Sequence, residues 1–261
     1  MHTLRIAWVY LRLGVLNELS YRANLAIQVL QSLIELGSAV AGLAIVFAHT
    51  DELGGWRQAE LLALLGVYFL IGGLIRAIVQ PSMQRFMEQI RLGTLDFTLT
   101  KPADAQLLVS IQQVQIWKIT DIALGLVTLG VALGQLGGQV GWREALAFGA
   151  TMLCGAAIVY SFWLILAACA FWFVRVENIL VIFQSMYEAG RWPVGIYPGW
   201  LRWSLTFLVP IAFATTVPAE ALSGRLTLPT LLGALALAVA LLIISRVFWR
   251  YGLRHYSGAS A

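Results

Sequence analysis

The chain has 261 residues, of which 60% are hydrophobic and only 11% charged, with a net charge of +4. A soluble domain carries about 25% charged residues, so a water-facing surface all round is excluded and a polytopic membrane protein is implied. The positive balance points to anionic lipid or to membrane orientation, not to nucleic acid.

At about 20 residues per crossing plus short loops, the length accommodates five to seven helices. Residues 1–22 read as an amphipathic helix lying on the cytoplasmic leaflet. Leu4, Trp8, Leu11 and Val15 fall on one face, with Arg5, Arg12 and Arg22 off it. Arg5 and Arg12 interrupt the apolar residues too often for a signal peptide. Residues 25–48 form the first predicted span. It carries a polar stripe, Gln28, Gln31, Glu35 and Ser38, at three- and four-residue spacing. An ionisable group there costs about 2.5–3.5 kcal/mol in hydrocarbon, so the stripe must face other helices or water. Interhelical hydrogen bonding is the plain reading; a pathway or subunit interface is the functional one.

The second span is predicted over 60–80, with Arg76 snorkelling at its end. A connector over 81–104 is the longest polar interruption in the chain. It keeps an apolar side, Met83, Phe86, Met87, Ile90, Leu92, Leu95 and Phe97, among Arg85, Glu88, Arg91, Asp96 and Lys101. Pro102 breaks the chain and Asp104 is placed to cap the next helix. A third span follows over 105–134, where Lys118 and Asp121 stand three apart and can pair. The fourth span is predicted over 142–174 and contains Cys154 and Cys169, read as core- or lipid-facing thiols. The fifth runs over 179–196 and is short. Residues 198–224, broken by Pro210 and Pro218, read as two short helices that dip into the outer leaflet and return, because broken backbone survives at membrane depth only under protein or water cover. A sixth span closes the chain over 226–249. With both termini, the connector and Arg175 inside, most basic residues lie on the cytoplasmic side, in agreement with the positive-inside rule.

No GxxxxGK[ST] occurs, so the chain does not hold ATP in a P-loop of its own. No HExxH, GxSxG or histidine cluster accompanies it. The connector's apolar side requires a cover. The membrane surface is one candidate and a groove on a soluble protein is the other. On residues alone, three classes stay open: an export permease, a polytopic membrane enzyme, and an ATP-independent secondary transporter or channel.

Two stretches carry a family resemblance. Ile90–Pro102, IRLGTLDFTLTKP, resembles the G-x-L-D-x-x-L-x-K-P signature between spans two and three of one bacterial branch of ABC-2 type permeases, with matches at Gly93, Leu95, Asp96, Leu99, Lys101 and Pro102. Gly190–Gly224 is similar to the proline-rich pattern after span five in those permeases, with matches at Gly190, Pro193, Pro198, Trp200, Leu201 and Pro210. Glu188 and Arg191 add charge beyond that pattern. The resemblance implies an all-α integral membrane fold of six transmembrane helices, with an N-terminal interfacial helix, a cytoplasmic coupling segment and outer-leaflet re-entrant helices. It implies a multi-pass protein of the bacterial cytoplasmic membrane that works with two ABC ATPase subunits and a second permease, identical or paralogous. ATP and Mg²⁺ would be held by the ATPases, leaving this chain without a cofactor. The coupling residues would be Glu88, Arg91, Gly93, Leu95, Asp96, Lys101 and Pro102. Gln28, Gln31 and Glu35 would line the pathway or subunit interface, and Pro193, Pro198, Trp200 and Pro210 would shape the re-entrant region.

Overall fold

A computed structural model describes residues 22–137, 140–173 and 177–256, with the side chains of 22–25 and 177–179 excepted. The interfacial helix expected over 1–22 therefore lies outside the described residues, apart from Arg22. Among the described residues the chain is all helical, with one isolated bridge between Leu53 and Trp56. Helix α1 is Arg22–Phe47. Helix α2, Gln58–Leu74, passes through a π-helical turn, Ile75–Val79, into α3, Gln80–Arg91. The connector then holds α4, Asp96–Leu99, and is followed by α5, Ala105–Ser110. A 3-10 turn at Ile116–Lys118 leads into α6, Ile119–Leu136, and α7 is Trp142–Ala168. After α8, Glu177–Tyr187, come α9, Gly199–Trp203, α10, Ile211–Ala214, α11, Thr216–Leu222, and α12, Leu228–Leu253.

Among the described residues, five helical stretches are long and apolar enough to cross a bilayer: Ala26–Phe47, Gln58–Arg91, Ile116–Leu136, Trp142–Phe171 and Leu228–Leu253. A further pair, Gly199–Leu208 and Ile211–Leu222, is bent by 69°. The expected fifth span over 179–196 is instead an 11-residue α-helix, Glu177–Tyr187, followed by 3-10 turns at Glu188–Arg191 and Val194–Ile196. Pro193 lies between the two turns and has no N–H to continue a ladder.

The second and third spans also differ from the sequence expectation, and one residue accounts for both. The helix does not stop at Gln80; it runs 34 residues from Gln58 to Arg91. Pro81 lies inside it. Lacking an N–H, Pro81 leaves the Ala77 carbonyl four residues back without a donor. The backbone widens into the π-helical turn just before Pro81, and the Gln115 N–H donates to the Ala77 carbonyl at 2.8 Å. The Ser82 hydroxyl donates to the Gln113 carbonyl at 2.9 Å, and the Gln112 amide donates to the Ser82 carbonyl at 3.1 Å. Residues 112–115 thus spend their polar groups on the neighbouring helix. The helix predicted over 105–134 breaks there, into α5 and α6.

The core is built around α2. Leu64, Leu65, Tyr68, Phe69 and Ile71 are buried within it. Helix α6 packs on α2 backbone to backbone, because a Cβ on Gly125 would stand 2.7 Å from the Leu70 nitrogen and one on Gly66 2.9 Å from the Leu129 nitrogen. Small residues permit this approach, and van der Waals packing drives helix association where lipid removes the hydrophobic effect. Helices α1, α6 and α12 turn apolar side chains outward, among them Ile27, Ile34, Val127, Leu232 and Ile243. That is the surface a hydrocarbon solvent requires.

Adding bulk at the closest approach tests this arrangement. Gly125→Val drives two backbones apart and is expected to cost about 1–3 kcal/mol or more, seen as a lower melting temperature and loss of a monodisperse peak in detergent. Gly130→Val, where an added Cβ meets nothing within 4 Å, is expected to behave as the wild type.

Candidate functional site

The connector is held as a rigid extension of α2. Phe86 is buried in an aromatic box, 4.8 Å from Trp249 of α12 and 5.6 Å from Phe171 at the end of α7, measured between ring centroids. Met83, Met87 and Leu95 are buried with it. Most of the apolar side read from the sequence is therefore covered by this chain itself.

Helix α3 ends in a left-handed turn. Gly93 has φ +69°, a conformation that L side chains rarely adopt. The Thr94 N–H donates to the Gln89 carbonyl at 2.9 Å and the Gly93 N–H to the Ile90 carbonyl at 3.1 Å. This is the paired hydrogen bonding of a Schellman stop. The turn throws Leu95 inward and places Asp96 at the start of α4, where an acid suits the helix N-terminus. Leu92 and Phe97 remain outside, 57% and 73% exposed, beside exposed Arg91. Glu88 pairs with Arg85 at 2.7 Å. Lys101 is half-buried and Pro102 exposed. Of the predicted coupling residues, Arg91 and Pro102 thus face outward, Gly93 shapes the turn and Leu95 anchors it. Leu92 and Phe97 are outward residues missing from the predicted coupling set, although both stood on the apolar side read from the sequence.

The far end of the connector is latched. Asp104 caps α5, accepting the Leu107 N–H at 3.1 Å. Its carboxylate also takes both terminal nitrogens of Arg246 of α12, and Arg246 reaches the Gln106 side chain at 2.7 Å. The Gln106 amide and Ser110 meet the Tyr160 hydroxyl of α7. The Arg246 hydrogen bonds hold the Asp104 carboxyl below the usual carboxylate range. A carboxyl lowered on folding stabilises the fold above its unfolded pKa, and that contribution is lost as pH falls through the folded value. The latch therefore belongs to neutral pH and opens on strong acidification.

Among the described residues three further charged clusters stand out, two inside the bundle and one at the end that carries the loop after α1. Asp121 of α6, 1% exposed, receives Arg76 Nε of the π-helical turn at 2.9 Å and the Ser32 hydroxyl of α1. Glu35 of α1 receives Arg191 Nη2 at 2.7 Å, and that guanidinium lies 5.3 Å from the Tyr68 ring centroid. Tyr68 stacks on Tyr187 of α8, whose hydroxyl donates to the Tyr68 carbonyl at 3.0 Å. Glu60 at the start of α2 is buried between Arg57 and Arg225, with Arg225 5.1 Å from the Trp56 ring centroid. Of the predicted stripe, Gln28 and Glu35 face the bundle, but Gln31 and Ser38 are exposed. The inward face is Gln28, Ser32, Glu35, Ala39 and Leu43. Asp121 turns to Arg76 and Ser32 for its partners, so the Lys118–Asp121 pairing suggested by spacing is not the one formed. Pro193 and Pro198 lie in the approach to α9, Trp200 is exposed within it, and Pro210 is buried at the bend before α10.

Removing one partner of a buried pair strands the other. Asp121→Asn is expected to cost about 3–5 kcal/mol, measured as a loss of thermal stability in detergent. The double change Arg76→Met with Asp121→Leu is expected to recover most of it.

A family model described as "ABC-2 family transporter protein" matches residues 33–260. No curated protein matches the chain significantly, and no solved structure does. The match runs from within α1 to beyond α12 and takes in the connector, the three charged clusters and the bent pair. On that extent, this multi-pass helical membrane protein belongs to the ABC-2 transporter family.

Proposed function

We propose that the chain is the permease subunit of an ATP-driven exporter that moves an amphipathic or hydrophobic compound across the bacterial cytoplasmic membrane. Two ABC ATPase subunits and a second permease, identical or paralogous, complete the machine, and ATP and Mg²⁺ are bound by the ATPases. The observation that carries this reading is the connector. It continues the central helix without a break, turns at Gly93, and leaves Leu92 and Phe97 exposed beside Arg91. An apolar pair rimmed by charge on a rigid support suits a soluble partner. Glu88, Asp96 and Lys101 then set register at its edge, since rim charges give specificity more than affinity.

In this reading the chain crosses the bilayer six times with both termini cytoplasmic. Residues 177–191 are a short fifth crossing, and 199–222 are the re-entrant pair. Both ends of that pair approach the end of the bundle that carries the loop after α1. A Cβ on Gly54 would meet Ile196 at 2.8 Å, and Arg225 sits on Glu60 and Trp56. The bend lies deeper, where Val209 and Pro210 share a small apolar cavity with Phe162, Trp163, Phe183 and Tyr187. Polar backbone at such depth requires protein cover, and these side chains supply it.

The test is capture. Tagged wild-type chain in mild detergent is expected to bring down a P-loop ATPase. Phe97→Asp is expected to weaken that capture about 30-fold, the loss of one strong anchor of about 2 kcal/mol, with membrane insertion unchanged. Asp96→Arg and Glu88→Arg are expected to lower transport with the complex still assembled. Full capture and transport by all three variants would remove the coupling role from the connector.

A further inference from the structure

Beside the Arg191–Glu35 pair the bundle holds a cavity of about 200 Å³, open between α1 and α2 and lined by Ser38, Ala39, Gly42, Leu43, Leu65, Arg191 and Trp192. Its wall is mostly apolar, with the Ser38 hydroxyl and one charged group, the Arg191 guanidinium, among its lining side chains. That group is 29% exposed and uses Nη2 on Glu35, while its Nε is buried with no hydrogen-bond partner. A guanidinium carries five donors in a fixed fork that matches a carboxylate. A second guanidinium, that of Arg76, lies near Tyr187. Arg76 keeps Nη2 buried and unpartnered there, close to Gly72 and Tyr187. The exposed part of the Arg191 guanidinium lines this cavity, where an anionic acceptor can meet it. A cavity of about 150 Å³ admits a benzene ring, so this one has room for an acidic head and the first few methylenes. Gly42 and the outward face of α1 leave an unobstructed path for the rest of an alkyl chain.

We infer that this cavity binds the carboxylate head of an anionic amphiphile, with Arg191 as the head-group ligand and Ala39, Leu43, Leu65 and Trp192 along the first part of its tail. Glu35 competes for the same guanidinium, so it sets how readily Arg191 is given up. That such an amphiphile is cargo rests on the export reading. The binding itself does not, and it is measured without an ATPase.

The experiment uses the full purified chain in nanodiscs of zwitterionic lipid, with radiolabelled dodecanoate as probe. Saturable binding is expected, displaced by unlabelled dodecanoate and at least tenfold less well by dodecanol or dodecyltrimethylammonium. Arg191→Gln is expected to weaken dodecanoate binding at least tenfold, whereas Glu35→Gln is expected to tighten it several-fold by removing the competing carboxylate. Gly42→Leu fills the cavity from a position where the new side chain meets open space, so it is expected to abolish binding with the fold intact, and it decides the matter if Arg191→Gln does not fold. Equal competition by the cationic or neutral detergent would overturn the proposal. So would dodecanoate binding unchanged by Gly42→Leu, or Glu35→Gln weakening it. Failure here leaves ATPase capture by the connector untouched, and failure of capture leaves this binding result standing.

Discussion

Asp121 has almost no contact with solvent, yet it is an acid inside a helix that hydrocarbon should surround. Its two partners come from two other helices, Arg76 from the π-helical turn after α2 and Ser32 from α1. Breaking such a pair strands a charge, which costs far more than the pair returns over an apolar replacement. The cluster is therefore better understood as a register device than as a source of stability. It permits only one axial alignment of α1, α2 and α6. The glycine contacts between α2 and α6 then become possible, since Gly73 meets Ile122 and Asp121 one turn from the ion pair. The Arg191–Glu35 pair fixes the same helix α1 a turn further along, against the chain that follows α8.

What the sequence made legible follows from which signals are local. Long apolar runs, the polar connector and the prolines that break the segment before the last span are all properties of neighbouring residues, and each could be read directly, whereas the left-handed turn at Gly93 and the end of the α-helix at Tyr187 could not. The charge partners could not. Glu35 and Arg191 are 156 residues apart, Arg225 and Glu60 165. Spacing along one helix instead suggested Lys118 for Asp121, because only near neighbours can be inferred from periodicity. The polar stripe on α1 illustrates the same limit. Four polar residues share a broad face, but the bundle takes only its edge. Ser32, a residue the stripe left out, makes the decisive contact. Arg191 looked like surplus charge beside a span because its partner lay in another helix.

The misplaced boundaries have a different origin. A proline ordinarily ends a helix, since its ring and missing N–H disrupt the preceding turn. The expected end of the second span at Gln80, where the polar connector begins, falls where that rule would also put it. The rule fails at Pro81 because the orphaned carbonyl finds a donor from elsewhere, the Gln115 N–H, and the neighbouring turn widens to π geometry. The same donation removes residues 112–115 from their own helix. A local rule was overridden by a tertiary hydrogen bond, and the two errors at the second and third spans are one event seen from both sides.

That event also shapes how force could travel. A connector on a flexible loop would move without moving the bundle. Here α3 is continuous with α2, so Gly93 is joined to Arg76 and Tyr68 by a single run of helix. The aromatic box around Phe86 and the Asp104–Arg246 latch tie the two ends of the connector to α7 and α12. The connector is thereby clamped to three of the long helices at once. Along this path the regular hydrogen-bond ladder is interrupted at the π-helical turn, Ile75–Val79. Arg76 sits within that turn. Any change in its pitch must therefore move the guanidinium relative to Asp121, and with it the alignment of α1 that the ion pair holds. A two-state permease requires an element with two discrete packings, and among these helices the turn that carries Arg76 is where backbone geometry and a buried charge are joined in a single residue.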